Sequence, residues 1–253
     1  MKIILLHSVS GGSGVTTVTA NLSAALQNLG HRCLAIDCAP ENVLALHFGV
    51  ATDTIAGWAT STRASQSWSD SGFEASDGSR VLPFGMLTEA ALTQLADTLK
   101  KQPDYLAAIC QALHGQPLDF LLLDLASPIT GCFSNQLCAL QKIADFSLLI
   151  ARADTQTYRL LVSHPLYSQR LMDSKLLLNS VKTENELQKD LLLVMRHEFE
   201  HCLAPNVIHY DASVPEAFAH LQALKAYAPE SAAALDFHLL ALWCTNQLRQ
   251  ATE

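Results

Sequence analysis

The sequence predicts an α/β fold, a doubly wound and mostly parallel sheet flanked by helices. Short apolar runs of strand length recur along the chain, helix-length segments separate them, and a glycine-rich loop sits at the first strand-to-helix corner.

Residues 2–7 form an unbroken apolar run closed by a Gly/Ser loop, as expected for a central strand covered on both faces. Val18, Leu22, Ala25, Leu26 and Leu29 then recur at helical spacing, and Gly30 ends a helix expected over residues 15–29. Cys33-Leu34-Ala35-Ile36-Asp37 reads as the next strand, which completes a βαβ unit. Further strands are expected at residues 80–83, 120–124, 146–150 and 175–179. Residues 61–79, rich in Ser, Asp and Gly with Trp68 and Phe73 as apolar anchors, read as a surface loop. Strand-helix alternation resumes after them, so a single domain is expected over residues 1–253.

Composition narrows the function. Of the 253 residues 49% are hydrophobic and 16% charged, enough apolar content to exclude disorder. The formal net charge of −8, without any Lys/Arg run, argues against nucleic acid or anionic lipid as a general partner. Seven cysteines at 33, 38, 110, 132, 138, 202 and 244 have no regular spacing and read as small buried thiols of a reducing compartment. The apolar run at the N-terminus is too short for a secretion signal, and nothing approaches the ~18 apolar residues of a membrane span. A cytoplasmic protein is expected.

Three segments ending apolar strands would converge at the carboxyl edge of the sheet, where open α/β folds bind ligands. The first is Ser10-Gly11-Gly12-Ser13-Gly14-Val15-Thr16-Thr17, a phosphate-binding loop in outline. Glycine amides and the following helix N-terminus would hold phosphate oxygens, Thr16 stands where Mg²⁺ is normally coordinated, and Thr17 could bond a phosphate. Asp37 and Asp124, each at a strand end, are the other two and could hold the metal or its water. A tight strand-helix turn and two helix caps are the plainer readings of these residues taken singly.

SGGSGVTTVTANLSAAL resembles the deviant loop KGGxGKTT of the MinD/ParA class of P-loop ATPases. Similarity continues through Asp37-Cys38-Ala39-Pro40, the Asp124 strand, Leu176-Leu177-Leu178-Asn179 and residues 211–217. Residues 40–44, Gly57-Trp58 and residues 81–85 resemble more narrowly the BcsQ family, encoded with bacterial cellulose secretion systems. This resemblance implies a P-loop NTPase fold of MinD/ParA type, a homodimer closed over ATP and Mg²⁺, a small BcsR-like partner, and contact with inner-membrane cellulose synthase components. It implies nucleotide binding by Gly11, Gly12, Ser13, Gly14, Val15, Thr16, Thr17, Asn179 and Asp211, with Thr16, Asp37 and Asp124 on the metal. Asn179 and residues 207–215 would meet the adenine, although Asn179 also reads as a strand-end turn residue.

Four positions depart from the class pattern: the interface-crossing lysine is Ser10, the loop lysine is Val15, and Ala39 and Ala126 replace the residues that follow the two strand-end aspartates. Groups that initiate or stabilise hydrolysis are missing, whereas those that hold phosphate and metal survive, which implies binding with weak turnover or none. BcsQ-type proteins as a group tolerate loss of the loop lysine. Arg152 is a candidate replacement cation, with a solvated loop arginine as the alternative. An active ATPase that positions a cellular complex and a nucleotide-free interaction module remain as other readings.

Two further segments invite other functions. His197-Glu198-Phe199-Glu200-His201 has the H-E-x-x-H form of a zinc site, but its place at the end of a late helix disfavours that chemistry. Residues 235–243 are apolar at helical spacing without the basic residues of an interfacial helix, so a core-packing final helix is expected.

Overall fold

The computed structural model describes residues 1–64, 67–125 and 132–250. Strand β1 (Lys2–Ser8) leads through the glycine loop into α1 (Val15–Asn28) and then β2 (Cys33–Asp37). An excursion containing α2 (Trp58–Arg63) precedes β3 (Phe73–Glu74) and β4 (Arg80–Leu82). Helices α3 (Glu89–Lys101) and α4 (Tyr105–Ala112) lead to β5 (Phe120–Leu125), and α5 (Cys132–Ile143) leads to β6 (Phe146–Arg152). Helices α6 (Thr155–Ser163) and α7 (Pro165–Met172) precede β7 (Lys175–Asn179). The chain ends through α8 (Glu186–Glu198), α9 (Ser213–Ala219), α10 (Leu224–Tyr227) and α11 (Ala232–Gln250).

The strands form one seven-stranded sheet in the order β3-β4-β2-β5-β1-β6-β7, parallel throughout except for β3 on β4. Continuous apolar runs are needed because both faces are covered. Ile4 and Leu6 of β1 pack with α1 and α11, while Ile3 and Leu5 pack on the opposite face with residues of α3, α4 and α5. The β6–β7 end of that second face is covered by α6, α7 and α8, whose buried residues include Leu161, Leu171 and Met195. Buried Gln136 ties α3, α4 and α5 together: its amide donates to the Leu99 and Gln102 carbonyls at 2.9 and 2.7 Å, and its Oε1 accepts from Leu106 at 3.1 Å.

Every strand expected from the sequence is present. β6 continues to Arg152, past the expected end at Ile150. Residues 61–79 differ from a plain surface loop: they contain the end of α2, a turn of 3₁₀ helix over Trp68–Ser71, and edge strand β3. Trp68 and Phe73 do act as anchors, each packing on the core from one face of the sheet. Among the cysteines, Cys138 is exposed, contrary to the expectation of buried thiols throughout, because it falls on the outer side of α5. Cys33, Cys38, Cys110, Cys202 and Cys244 are buried and free.

Helix α8 stops at Glu198, and buried Phe199 and Cys202 anchor the turn that follows. His201 therefore lies beyond the helix, so His197 and His201 do not share a helical face as a zinc motif requires. α11 packs on α1 through Phe237, Leu240, Ala241, Cys244 and Leu248, as expected for a final core helix. Leu235, Leu239 and Leu242 lie on its exposed side.

Candidate nucleotide and metal site

The glycine loop leaves β1 and turns sharply into α1. Gly12 and Gly14 have φ of 76° and 84°, values that L side chains rarely adopt. Gly14 is also constrained by a neighbour, because a Cβ there would lie 2.4 Å from Asn179 Nδ2. That amide donates to the Ser13 carbonyl at 2.8 Å and fastens the end of β7 to the loop. The buried Ser13 hydroxyl in turn donates to the Ser10 carbonyl. Gly11 and Gly12 remain exposed, and Thr16 and Thr17 are half-buried in the first turn of α1. Val15, at the lysine position, is only 3% exposed and belongs to the apolar cluster beneath α1. The side chain replacing the cation thus serves packing.

Asp37 and Asp124 end neighbouring strands and lie directly opposite each other in register. Both are fully buried. The Asp37 carboxylate accepts from the amides of Ala39 at 2.9 Å and Leu44 at 3.1 Å. Burial nevertheless pushes its pKa up to about 7, against those two amides and with Glu41 adding repulsion. Asp124 is raised well above the ordinary carboxylate range, first by burial and then by the Asp37 charge, while the adjacent Thr16 hydroxyl favours the charged form. Neither Asp124 oxygen has a hydrogen-bond partner of good geometry. Two buried carboxylates side by side, one of them orphaned, lack the compensation that buried charge requires. A divalent cation with oxygen ligands supplies it, so Thr16, Asp37 and Asp124 fit Mg²⁺. When bound, the ion would offset the carboxylate charge of Asp37 and Asp124 and supply positive charge beside phosphate held by the glycine amides.

A cavity of about 180 Å³ opens beside the loop, and its lining includes Gly12, Gly14, Thr17, Arg152, Asn179 and Asp211. Loop residues Gly12, Gly14 and Thr17 therefore share one space with Asn179 and Asp211, whereas Gly11, Ser13, Val15 and Thr16 are not part of its lining. Asp211, however, is heavily used for structure: its carboxylate accepts from Ser213 at 2.9 Å and Ala233 at 3.3 Å. Partial burial would raise its pKa, but these amides outweigh burial and hold it below the ordinary range. Asp211 thus caps the start of α9 and holds α11. Arg152 projects at the cavity rim, 44% exposed and 3.7 Å from Asp154. Ala39 supplies its amide to Asp37 but no carboxylate, and Ala126 lies outside the described residues.

His209 and Tyr210 fall inside the 207–215 region expected to meet the adenine, but their individual partners were not legible in the sequence. His209 donates its amide to Asp236 at 2.8 Å, and its Nδ1 lies 2.9 Å from the same carboxylate. Exposed Tyr210 carries the Lys182 ammonium 4.1 Å from its ring centre. Pairs separated by 27 or 28 positions leave no spacing signal, although the expected segment 207–215 indicates the neighbourhood.

A family profile described as cellulose biosynthesis protein BcsQ matches residues 1–245. The cellulose biosynthesis protein BcsQ of Salmonella typhimurium is 35% identical over 248 residues, covering 96% of this chain and 94% of the relative. The cell division ATPase MinD of Pyrococcus furiosus superposes with a TM-score of 0.76 at 23% identity, covering 97% of this chain and 98% of the other. The septum site-determining protein MinD of Pyrococcus horikoshii, solved with Mg-ADP, gives 0.72 at 21%, covering 94% of each. With a profile that spans almost all of the sequence and a glycine loop on a MinD-like sheet, the chain belongs to the BcsQ family of cellulose biosynthesis proteins.

Proposed function

We propose that this chain is a regulatory assembly component of a bacterial cellulose secretion system, a MinD-like dimer that closes over ATP·Mg²⁺ with weak hydrolysis or none. The observation carrying the proposal is the imbalance of the site. Asp124 is buried beside Asp37 with no hydrogen-bond partner of good geometry, so a cation is called for, whereas the lysine position holds a core valine. Such a site retains the means to hold a metal-nucleotide complex and lacks the charge that stabilises phosphoryl transfer. The Mg-ADP held by the Pyrococcus horikoshii MinD supports the ligand class.

The nucleotide-ordered surface would engage a small BcsR-like partner and inner-membrane cellulose synthase components, giving a cytoplasmic protein peripheral to the membrane. Among the described residues, no helix is long and apolar enough to cross a membrane, which accords with attachment through partners. Light scattering on nucleotide-stripped protein tests this: mass should double with ATP and Mg²⁺ and remain single with either alone. A single mass in all three conditions overturns the dimer, and absence of nucleotide binding by calorimetry overturns the ligand.

Arg152 at the cavity rim favours one alternative, an ATPase with a relocated cation. Turnover comparable to ordinary P-loop ATPases that falls at least about tenfold in Arg152→Ala would establish it. Weak turnover insensitive to that substitution leaves the assembly role.

A further inference from the structure

The end of β2 is enclosed by a ring of contacts that closes on itself. The Asp37 carboxylate is held by amides of the loop that follows it, Ala39 and Leu44. At the crest of that loop Asn42, with φ of 52°, accepts a hydrogen bond from the Gly85 amide at 2.9 Å. Gly85 and Phe84 press against Gly57 so closely that a Cβ on Gly57 would lie 2.2 Å from the Gly85 nitrogen. The next residue, Trp58, donates its indole N–H to the Asp37 main-chain carbonyl at 2.7 Å. Its own amide and that of Ala59 bind the carbonyls of Pro83 and Phe84, each at 3.0 Å. The indole is completely buried, edge-on to Phe84 at 4.9 Å.

We infer that Trp58 is a positioning residue for the metal: its indole N–H, with Asn42 on the opposite side of the ring, fixes where Asp37 stands relative to Asp124. This rests on the Mg²⁺ reading of the two carboxylates. Packing alone would be satisfied by any large aromatic ring in this pocket, and a ring without the N–H removes the hydrogen bond from Trp58 to the Asp37 carbonyl. Outer partners that orient a metal ligand change affinity by about 10- to 100-fold when removed.

The test is Mn²⁺ binding by electron paramagnetic resonance, in the full chain with ATP, for wild type, Asp124→Asn, Trp58→Phe, Asn42→Ala and Tyr105→Phe. Tyr105 belongs to the same aromatic group, with its ring centre 6.1 Å from that of Trp58, but its hydroxyl pairs with Thr62 and not with Asp37. Trp58→Phe should weaken Mn²⁺ by about tenfold and Asn42→Ala by a smaller factor, with melting temperatures recorded in parallel. Tyr105→Phe should shift melting without changing Mn²⁺ affinity. If Trp58→Phe does not fold, Asn42→Ala carries the comparison. Unchanged Mn²⁺ affinity in the folded Trp58→Phe or Asn42→Ala protein, with wild type binding and Asp124→Asn not, overturns the positioning role and leaves the metal site standing. Absence of Mn²⁺ binding in wild type overturns the metal site and this inference with it.

Discussion

Asp124 and Val15 stand at the same edge of the sheet and place opposite demands on their surroundings. The carboxylate is buried without a hydrogen-bond partner of good geometry, a place that suits a cation, whereas the valine is buried where the class pattern has a lysine. Removing the Asp124 charge should therefore stabilise the metal-free protein. Asp124→Asn is expected to gain about 1–3 kcal/mol in urea unfolding without Mg²⁺, because the variant no longer meets the penalty of ionising or protonating a buried acid. On the proposed Mg²⁺ and ATP binding, wild type should rise in melting temperature with both ligands and the same variant should not. A destabilised Asp124→Asn protein would mean that the carboxylate has a stabilising partner in the absence of metal. Both residues were identifiable from the sequence, since a strand-end aspartate and a valine inside a glycine loop are local patterns. Their burial was not, because it depends on which strands become neighbours.

At the level of elements, α11 separates two kinds of leucine one position apart. Leu240 is 0% exposed against α1, whereas Leu239 is 42% exposed. Leu240→Ala should cost about 2–5 kcal/mol and Leu239→Ala less than about 0.5 kcal/mol in the isolated protein, measured by chemical denaturation. Equal losses would contradict the packing of this helix. Helical spacing in the sequence was enough to identify the element. β-strands were equally legible because strands covered on both faces must be apolar throughout. β3 escaped detection: two residues carry no periodicity, and its antiparallel place on β4 is set by the turn at residues 75–79, where the Ala75 amide binds the Ser79 carbonyl at 2.8 Å. The zinc-like pentapeptide illustrates the converse, since a spacing pattern has meaning only while the helix continues, and α8 stops at Glu198. Asp211 lines the cavity beside the glycine loop, but its hydrogen bonds to the starts of α9 and α11 depend on residues 2 and 22 positions away.

Across the whole molecule, buried ionisable groups pull stability in two directions with pH. Asp37 keeps its proton in the folded state up to about 7, compared with 3.8 when unfolded, so its contribution is complete below about 4 and is lost as pH rises through 7. His7 and His47 act in the opposite sense. Burial holds His7 near 3, with Arg170 adding repulsion, and His47 near 4, so their contribution is complete above 6.5 and lost as pH falls through 4 to 3. These opposing slopes make the difference between wild type and Asp37→Asn the informative quantity. In metal-free protein the variant should gain on wild type by about 1–3 kcal/mol between pH 4 and 7, and saturating Mg²⁺ with ATP should reverse the order at pH 7. A difference independent of pH would remove Asp37 from the titrating groups.

Among the described residues, both borders of the sheet end in short or irregular pairing. On one side the short β3 occupies the margin of β4. On the other, the segment carrying His209 and Tyr210 runs along β7, with amides of Ala204, Ile208 and Tyr210 bonded to the carbonyls of Leu176, Leu178 and Val181. A sheet fenced in this way offers few free backbone groups for another chain to add a strand, the common route to runaway aggregation in β-rich proteins. The stretch beside β7 also delivers residues to the cavity beside the glycine loop. Protection from edge-to-edge growth and construction of the cavity wall are therefore accomplished by one stretch of chain, and a change there would be felt as insolubility as well as an altered cavity.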